Sequence, residues 1–252
     1  MNAGMYEDLD RPPLRTAALA RALEPDGWRV EVVSCVGSTN AAVAERARAG
    51  EPHGLVVVAE EQTGGRGRLD RSWLSPPRAG LTFSVLLRPS LEPELLGWVP
   101  LWGGLAVAMA VREHAEVEAV LKWPNDVLIE GRKVAGLLAE VVDGAVVLGI
   151  GLNVTTKRAE LPHEGATSLA LEGAVSADRD TLLKAILRSL SGVLGDRNTT
   201  SYRELCSTLG RLVRVELPGD RSVEGMAESV DDVGRLVVAG TAYAAGDVVH
   251  LR

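Results

Sequence analysis

Aromatic residues and cysteine are scarce in this sequence of 252 residues. Phe, Trp and Tyr together make up 4% of the chain, so a folded core must be mainly aliphatic. The two cysteines, Cys35 and Cys206, lie far apart and form no C-x-x-C pair. This excludes a disulfide-rich miniprotein and favours reduced thiols in a cytosolic protein, with a single disulfide as the alternative. The four histidines are scattered and form no zinc-binding motif.

Long hydrophobic runs and a targeting segment are also missing. The longest apolar run, at 99–111, has 13 residues, whereas a transmembrane helix needs roughly 20. It predicts part of a buried helix instead. The N-terminal residues are acidic where a signal peptide needs a basic start and an apolar run. We therefore expect a cytoplasmic protein with no membrane partner.

Positive charge is in the minority, with 27 Lys and Arg against 34 Asp and Glu and a net charge of −7. Duplex binding relies on many Lys and Arg contacts to phosphate, so no nucleic-acid partner is expected. The exception is residues 60–78, here named the Gly-Arg loop. Within it, residues 64–78 carry four Arg and one Asp, a local charge of +3. Glycine and Arg suit an anionic ligand, and a solvated loop is the alternative.

The periodicity of the chain predicts an α+β fold: a mixed sheet with helices on one side, followed by a small antiparallel barrel. The boundary between the two is placed near 208–210. Helices are predicted at 14–24, 41–49, 97–115 and 178–194. Strands are predicted at 28–35, 55–59, 81–87, 120–123, 127–129, 133–142 and 145–152. The barrel strands are predicted at 212–217, 222–229, 236–238 and 247–251.

Two polar segments could carry chemistry. Lys-Trp-Pro-Asn-Asp at 122–126 is either a plain β-turn or a site where Asn125 and Asp126 contact a nucleotide or Mg²⁺. In Lys-Val-Ala-Gly at 133–136, Lys133 is either a solvated charge or a group that stabilises developing negative charge in a pocket. A glycine inside a strand, such as Gly136, often marks close approach of a ligand.

Other catalytic motifs are incomplete or absent. Residues 149–154, Gly-Ile-Gly-Leu-Asn-Val, half-match a dinucleotide fingerprint, but Val154 replaces the third glycine and no helical pattern follows. No Walker A loop and no G-x-S-x-G elbow occur. The small residues at 149–153 could still make room for a flat ligand.

Together, these segments resemble the biotin protein ligase family, because they occur in the family's order. They are Gly-Ser-Thr-Asn at 37–40, Gln-Thr-Gly-Gly-Arg-Gly-Arg at 62–68, the segments at 122–126 and 133–136, and Gly-Ile-Gly-Leu-Asn at 149–153. Two departures are Gly64, where the family usually has Ala, and Leu69-Asp70, where Arg or His and Gly are common.

The resemblance implies a catalytic domain like that of biotin ligases and class II aminoacyl-tRNA synthetases, with an SH3-like C-terminal domain. The expected division is a flexible tail at 1–13, a catalytic biotin- and ATP-binding domain at 14–207, and the SH3-like domain at 208–252. About 27 residues precede the first catalytic strand, too few for the winged helix of the repressor-type members. The resemblance therefore implies a monofunctional ligase, as a monomer or weak dimer.

The implied reaction has two steps that use ATP, biotin and Mg²⁺. The biotin carboxylate attacks the α-phosphorus of ATP to give biotinyl-5′-AMP, and a lysine of a biotin carboxyl carrier domain then takes the biotinyl group. Catalytic roles are implied for Lys133, Arg68 and Arg66. Mg²⁺ is assigned to Asp126. The residues implied to contact biotin are Ser38, Thr39, Asn40, Gln62, Gly65, Arg66, Gly67, Arg68, Lys133, Gly136 and Gly149. Those implied to contact the nucleotide are Arg66, Arg68, Trp73, Trp123, Asn125 and Asn153.

Three of these roles are more specific. Gly136 and Gly149 are expected to give backbone clearance to biotin. Trp73 either packs on adenine or belongs to the core. The competing functions are a lipoate- or octanoyl-transferring enzyme of the same broad fold and a non-catalytic biotin sensor.

Overall fold

The computed structural model of the chain describes residues 11–68, 71–217, 219 and 221–251. Residues 1–10 of the expected tail, the departure at Leu69-Asp70, and Pro218, Asp220 and Arg252 of the expected SH3-like domain lie outside the described residues. Residues 11–13, also assigned to a flexible tail, are held in place. The Arg11 guanidinium pairs with Glu160 at 2.6 Å, and the Pro12 carbonyl accepts from Arg179 at 2.6 Å.

A seven-stranded mixed sheet forms the larger part of the molecule. Its order is β1-β2-β3-β7-β6-β5-β4, in which β1 and β2 are parallel and all other neighbours antiparallel. The mixed sheet predicted from the sequence is thereby confirmed. Its strands are β1 (Arg29–Val33), β2 (Leu55–Ala59), β3 (Gly80–Leu87), β4 (Ala119–Lys122), β5 (Asp126–Ile129), β6 (Arg132–Val142) and β7 (Ala145–Asn153).

Side-chain oxygens begin three of the helices. The Ser38 hydroxyl accepts from the Ala41 amide, the Asp178 carboxylate from the Thr181 amide at 2.7 Å, and the Asn198 Oδ1 from the Ser201 amide at 2.9 Å, as expected for helix N-caps. The helices are α1 (Thr16–Leu23), α2 (Thr39–Arg48), α3 (Trp98–His114), α4 (Arg179–Asp196) and α5 (Thr199–Leu205). The 3₁₀ turns are Glu24–Asp26, Pro93–Gly97, Arg158–Glu160 and Ala170–Glu172. The sequence patterns did not predict α5.

The two faces of the sheet carry different side chains, because successive residues of a strand point in opposite directions. On β7, Val146, Leu148 and Ile150 join the main core with α1, α3 and α4. Val147 faces the other way and joins a smaller cluster with α2. The prediction that the helices lie on one side is therefore wrong, since α2 covers part of the opposite face.

The most apolar helix is a core helix. The segment Pro93–His114 is long and hydrophobic enough to cross a membrane, but 67% of its hydrophobic 18-residue stretch is buried inside the fold. Trp98 and Trp102 of α3 stack with ring centroids 5.8 Å apart. This agrees with the expectation that the run at 99–111 belongs to a buried helix.

A five-stranded antiparallel sheet, here named the C-terminal module, follows α5. Its order is β11-β10-β9-β8-β12. Val213 and Val215 alternate inward along β8 and are fully buried. The small β-rich C-terminal part predicted from the sequence is confirmed, although β11 was not predicted. The strands are β8 (Leu212–Leu217), β9 (Arg221–Val230), β10 (Leu236–Val238), β11 (Thr241–Tyr243) and β12 (Asp247–His250).

Candidate active site

A cavity of about 890 Å³ lies over the α2 face of the sheet, where the strands carry small side chains. Gly151 of β7 is in register with Thr82 on one side and with Gly136 on the other. Gly149 is in register with Ser84. The same strands present large aliphatic side chains to the opposite face. Because successive strand residues point to opposite faces, small residues form the floor of the cavity on one face of the sheet. The large residues of the same strands form the core on the other face.

Hydroxyl and amide groups form one wall of this cavity. The Thr39 amide donates to Gln62 Oε1 at 2.9 Å, and the Thr39 hydroxyl reaches the same oxygen at 3.2 Å. The Ser84 hydroxyl lies 2.8 Å from Thr39 Oγ1 and is fully buried. Ser38, the N-cap of α2, completes the wall. Helix capping therefore places Ser38 and Thr39 beside Gln62, as the sequence motifs suggested.

Asn40 occupies the space above Gly149. Its Nδ2 donates to Glu140 Oε2 at 2.7 Å, and its Oδ1 accepts from the Ser84 hydroxyl at 2.6 Å. A Cβ atom at Gly149 would overlap the Asn40 side chain. The space at Gly149 is thus filled by Asn40, and the clearance for biotin implied by the resemblance stays a prediction.

The two ends of the Gly-Arg loop are joined by a hydrogen bond, and two of its segments pair with each other. The Arg78 amide donates to the Glu60 carbonyl at 2.8 Å, and an antiparallel bridge joins Arg66 to Ser72. A Cβ atom at Gly65 would overlap the Gln62 side chain and the Trp73 carbonyl. The loop is therefore folded back against the polar wall.

Further along this loop, the Gly67 amide donates to the Arg71 carbonyl at 2.6 Å. The Arg66 side chain is exposed and lines the cavity. Arg68 points towards the other end of the cavity and is partly buried, and this burial lowers the pKa of its guanidinium. Its Nη1 lies 3.4 Å from Asn125 Oδ1 and 3.2 Å from the Gly246 carbonyl oxygen.

Lys133 reaches the cavity floor because β6 contains a bulge. The register between β5 and β6 shifts between Val127 and Leu128, which leaves Val134 as an extra residue. A bulge of this kind re-aims side chains. Lys133 Nζ thereby comes close to Gly136, pairs with the Asp126 carboxylate at 2.6 Å and lies 5.7 Å from the centroid of the Trp73 ring.

Trp73 lies on the glycine floor. A Cβ atom at Gly151 would overlap its indole, and one at Gly136 would lie 3.2 Å from Trp73 Cζ3. The side chain is half-buried and covered by Lys133. Trp73 is therefore not a core residue. A place in the core was one of the two alternatives expected from the sequence, and packing on adenine was the other. The space at Gly136 is shared by Lys133 and Trp73.

Trp123 lines the cavity, but its side chain is almost fully buried. It is 1% exposed, and its Nε1 donates to the Gly234 carbonyl of the C-terminal module at 3.1 Å. The ring itself therefore packs in the core, where Ala119 and Leu121 of β4 are also buried. The assignment of Trp123 to the nucleotide stays a prediction.

Two asparagines assigned to the nucleotide make structural bonds. Asn125 Nδ2 donates to the Leu137 carbonyl at 2.8 Å, and Asn153 Nδ2 donates to the Thr167 carbonyl at 2.9 Å. Asn125 retains an oxygen that faces Arg68. Both residues line the cavity.

Two residues at the cavity were missed. Lys122, the first residue of its motif, lines the cavity, and burial lowers the pKa of its ammonium group. Asp247 of β12 forms an ion pair with Arg71. The motif could have revealed Lys122, but no local signal connects Asp247 with a loop 176 residues earlier in the chain.

The chain matches two family models. Residues 32–156 match the biotin/lipoate A/B protein ligase family, and residues 208–251 match the biotin protein ligase C terminal domain. A biotin–[acetyl-CoA-carboxylase] ligase of Mycobacterium tuberculosis is 44% identical over 96% of this chain and 97% of its own length. The bifunctional ligase/repressor BirA of Escherichia coli is 30% identical over 84% of this chain and 70% of its own length.

Solved structures agree in fold. The biotin protein ligase from Aquifex aeolicus in complex with biotin and ATP has a TM-score of 0.74 and 31% identity, covering 88% of this chain and 98% of that chain. The ligase from Leishmania major in complex with biotinyl-5-AMP has a TM-score of 0.63 and 28% identity, with the same coverage. The resemblance in the sequence motifs is thereby confirmed, and the chain belongs to the biotin protein ligase family.

Proposed function

We propose that this protein is an ATP-dependent ligase that activates biotin as biotinyl-5′-AMP and transfers it to a specific lysine of a biotin carboxyl carrier domain. One observation carries the proposal. A single cavity joins a glycine floor with a hydroxyl and amide wall at one end to Lys133, Arg66 and Arg68 at the other. Such a cavity suits a ligand with a flat polar ring system and a negatively charged tail.

The polar wall is the proposed site of the biotin ring system. The ureido group of biotin has both N–H donors and a carbonyl acceptor, and hydroxyl groups can serve as either partner. Ser38, Thr39 and Gln62 offer such groups within one hydrogen-bonded cluster. Asn40 is held between Ser84 and Glu140, so it acts by fixing this cluster.

The cationic end is the proposed site of adenylation. A biotin carboxylate oxygen attacks the α-phosphorus, a new P–O bond forms, and the bond to pyrophosphate breaks. Lys133, Arg66 and Arg68 are placed to stabilise the negative charge that develops on the phosphate oxygens. Because the carrier lysine is the later nucleophile, the enzyme needs positioning and charge stabilisation and no covalent residue of its own.

The second step uses the same groups. The uncharged amine of the carrier lysine attacks the acyl carbon of the mixed anhydride, a C–N bond forms, and AMP leaves with the electrons of the broken C–O bond. The amine nitrogen loses one proton to solvent or to the departing phosphate, which leaves a neutral amide. Until then the Gly-Arg loop retains the intermediate and shields it from water. Trp73, which lies half-buried between the floor and Lys133, contributes an apolar surface to that enclosure.

Mg²⁺ would bind at this site through one carboxylate together with the substrate phosphates. The described residues contain no group of three or more His, Cys, Asp or Glu side chains that could hold a metal ion. The ion commonly binds to one or two carboxylates together with substrate phosphates, and Asp126 is a suitable carboxylate at the cavity. When bound, Mg²⁺ would neutralise phosphate charge. Asp126 would then exchange part of its contact with Lys133 for the ion.

The remaining assignments complete the proposal. Residues 14–207 would form the catalytic unit and residues 208–252 the SH3-like unit, in a cytoplasmic monomer or weak dimer without nucleic-acid or membrane partners. The nucleotide would lie near Asn125 and Asn153, which line the cavity beside Arg68 and the end of β7.

Exchange of labelled pyrophosphate into ATP tests the activation step. The proposal predicts exchange that requires biotin and is not supported by lipoate or octanoate. Exchange with lipoate instead would favour the lipoate ligases that the first family model also includes. Biotin binding without any exchange would indicate a sensor.

A further inference from the structure

Ser84 lies directly behind the polar wall of the cavity. It occupies the middle of β3, in register with Val57 on one side and Gly149 on the other, and its side chain is fully buried. Its hydroxyl oxygen lies 2.6 Å from Asn40 Oδ1 and 2.8 Å from Thr39 Oγ1. A hydroxyl carries one proton, so Ser84 can donate fully to only one of these two oxygens.

The orientation of Asn40 decides which oxygen receives that proton. Asn40 Nδ2 lies 2.7 Å from the Glu140 carboxylate and 3.3 Å from the Leu138 carbonyl oxygen, and both of these groups can only accept. The amide nitrogen must therefore point towards them, and Oδ1 must point towards Ser84. An amide oxygen also only accepts, so the Ser84 proton goes to Asn40. Because Asn40 is 7% exposed, water competes little for this hydrogen bond.

The hydroxyl of Thr39 is constrained in turn. The Ser84 oxygen has no proton left for it and can only accept, and its other oxygen neighbour, Gln62 Oε1 at 3.2 Å, is also an acceptor. The Gln62 amide presents its oxygen on this side because that atom accepts from the Thr39 backbone N–H at 2.9 Å. The proton of the Thr39 hydroxyl is thus directed into the protein. A ligand that bonds to this hydroxyl must therefore supply the proton itself.

We propose that Ser84 is a positioning residue, which directs the proton of the Thr39 hydroxyl and thereby makes the cavity wall select a ligand that carries an N–H donor. The choice of ligand rests on the proposed function, because the ureido ring of biotin has two N–H groups. A site built to accept from an N–H group rejects an isosteric ligand that presents an oxygen there, since two acceptors then face each other. Ser84 exerts this selection without touching the ligand.

Calorimetric titration of the full-length protein with biotin and with its two cyclic carbamate analogues tests this role. Each carbamate has an oxygen in place of one ring N–H, and one of them presents that oxygen to Thr39. In Ser84→Ala the Thr39 proton is free to turn towards this oxygen. We expect the ratio of that analogue's Kd to the Kd of biotin to fall by about tenfold, the scale for one hydrogen bond in a buried site. Ser84→Cys, which keeps a weak S–H donor, should give an intermediate ratio.

Ser168→Ala is the matched control. Ser168 is also fully buried, and its hydroxyl donates to the Thr156 carbonyl at 2.7 Å, a bond that involves neither Thr39 nor Asn40. Both alanine variants should lower the melting temperature by about 2–4 °C, but Ser168→Ala should keep the wild-type ratio. A general loss of stability would affect biotin and both analogues alike. Unchanged ratios in Ser84→Ala and Ser84→Cys, or the same fall in Ser168→Ala, would overturn the proposal.

The side-chain amide of Asn40 gives a second readout that needs no ligand. Its Nδ2 protons can be followed by NMR and assigned by their loss in Asn40→Asp. In Ser84→Ala, Oδ1 loses its donor and the amide can rotate, so we expect these protons to exchange with water about tenfold faster. Ser168→Ala should leave their exchange rate unchanged. Equal rates in Ser84→Ala and wild type would contradict the role of Ser84, whereas a wild-type protein that binds no biotin would refute the ligase function instead.

Discussion

The two ends of the cavity are built by different means. The floor and the polar wall rest on strands and on the start of α2, where Ser84 and Thr39 are buried and bonded to each other. The Gly-Arg loop rests on turns, on its own backbone bridges and on ion pairs to another sheet. The end for the neutral ring is therefore built into the sheet and α2, and we expect the end for the anion, which depends on a loop, to open more readily. A retained, water-sensitive intermediate requires both properties.

The largest expected effect comes from Lys133, the cation that β6 contributes to the cationic end of the cavity. Lys133→Ala should lower biotin-dependent pyrophosphate exchange by roughly 10²–10³, the scale for one lost charge-stabilising donor. Arg48→Ala removes an exposed cation at the end of α2 and should leave exchange unchanged. Near-normal exchange in Lys133→Ala would refute the role assigned to this lysine.

Gly149→Ala tests the preorganised end. The added Cβ would overlap Asn40, which is 7% exposed and bonded to Ser84 and Glu140. Overpacking of this kind costs about 1–3 kcal/mol, so denaturant unfolding should show that loss together with weaker biotin binding.

Gly192→Ala is the control, for which the opposite change in the free energy of unfolding is expected. Gly192 lies in α4, and a Cβ there would meet no atom within 4 Å. Gly192→Ala should therefore stabilise the protein by up to about 1 kcal/mol. If Gly149→Ala were as harmless as Gly192→Ala, the tight contact with Asn40 would not be a constraint.

Arg68→Gly tests the end that opens. It removes the contacts to Gly246 and Asn125 together with one phosphate-binding cation. Charged hydrogen bonds contribute about 1.5–3 kcal/mol, so release of free biotinyl-AMP should rise by roughly 10- to 100-fold. Labelling of unrelated lysines should increase with it. Wild-type levels of both would show that the loop does not retain the intermediate.

The smallest expected effect concerns the C-terminal wall of the cavity. Burial and the positive charges of Lys122 and Arg211 lower the pKa of His250 to about 4. The unfolded chain, with a pKa near 6.5, therefore binds the proton first as the pH falls. Stability should drop by about 1–2 kcal/mol between pH 7 and pH 5. In His250→Gln this drop should be smaller.

Local motifs predicted much of the site. The motifs at 37–40, 62–68 and 133–136 each consist of a few neighbouring residues, and the structure brings Ser38, Gln62 and Lys133 to one cavity. The fold class followed from strand alternation and from the apolar period of α4. In these cases the sequence pattern and the structure agree, because all residues of a pattern lie in one helix, one strand or one loop.

The parts that were missed depend on contacts between distant elements. Asp247 reaches Arg71 only because β12 pairs with β8 at the edge of the second sheet. The burial of the Trp123 ring against the C-terminal module and the approach of Asn40 to Gly149 are tertiary contacts of the same kind, which no local pattern indicates.

The most direct test is the intact mass of a biotin carboxyl carrier domain after incubation with this protein, ATP, Mg²⁺ and biotin. The account predicts a gain of one biotinyl group that disappears when ATP is omitted and is strongly reduced with Lys133→Ala. No gain with biotin, or a gain with lipoate in its place, would contradict it.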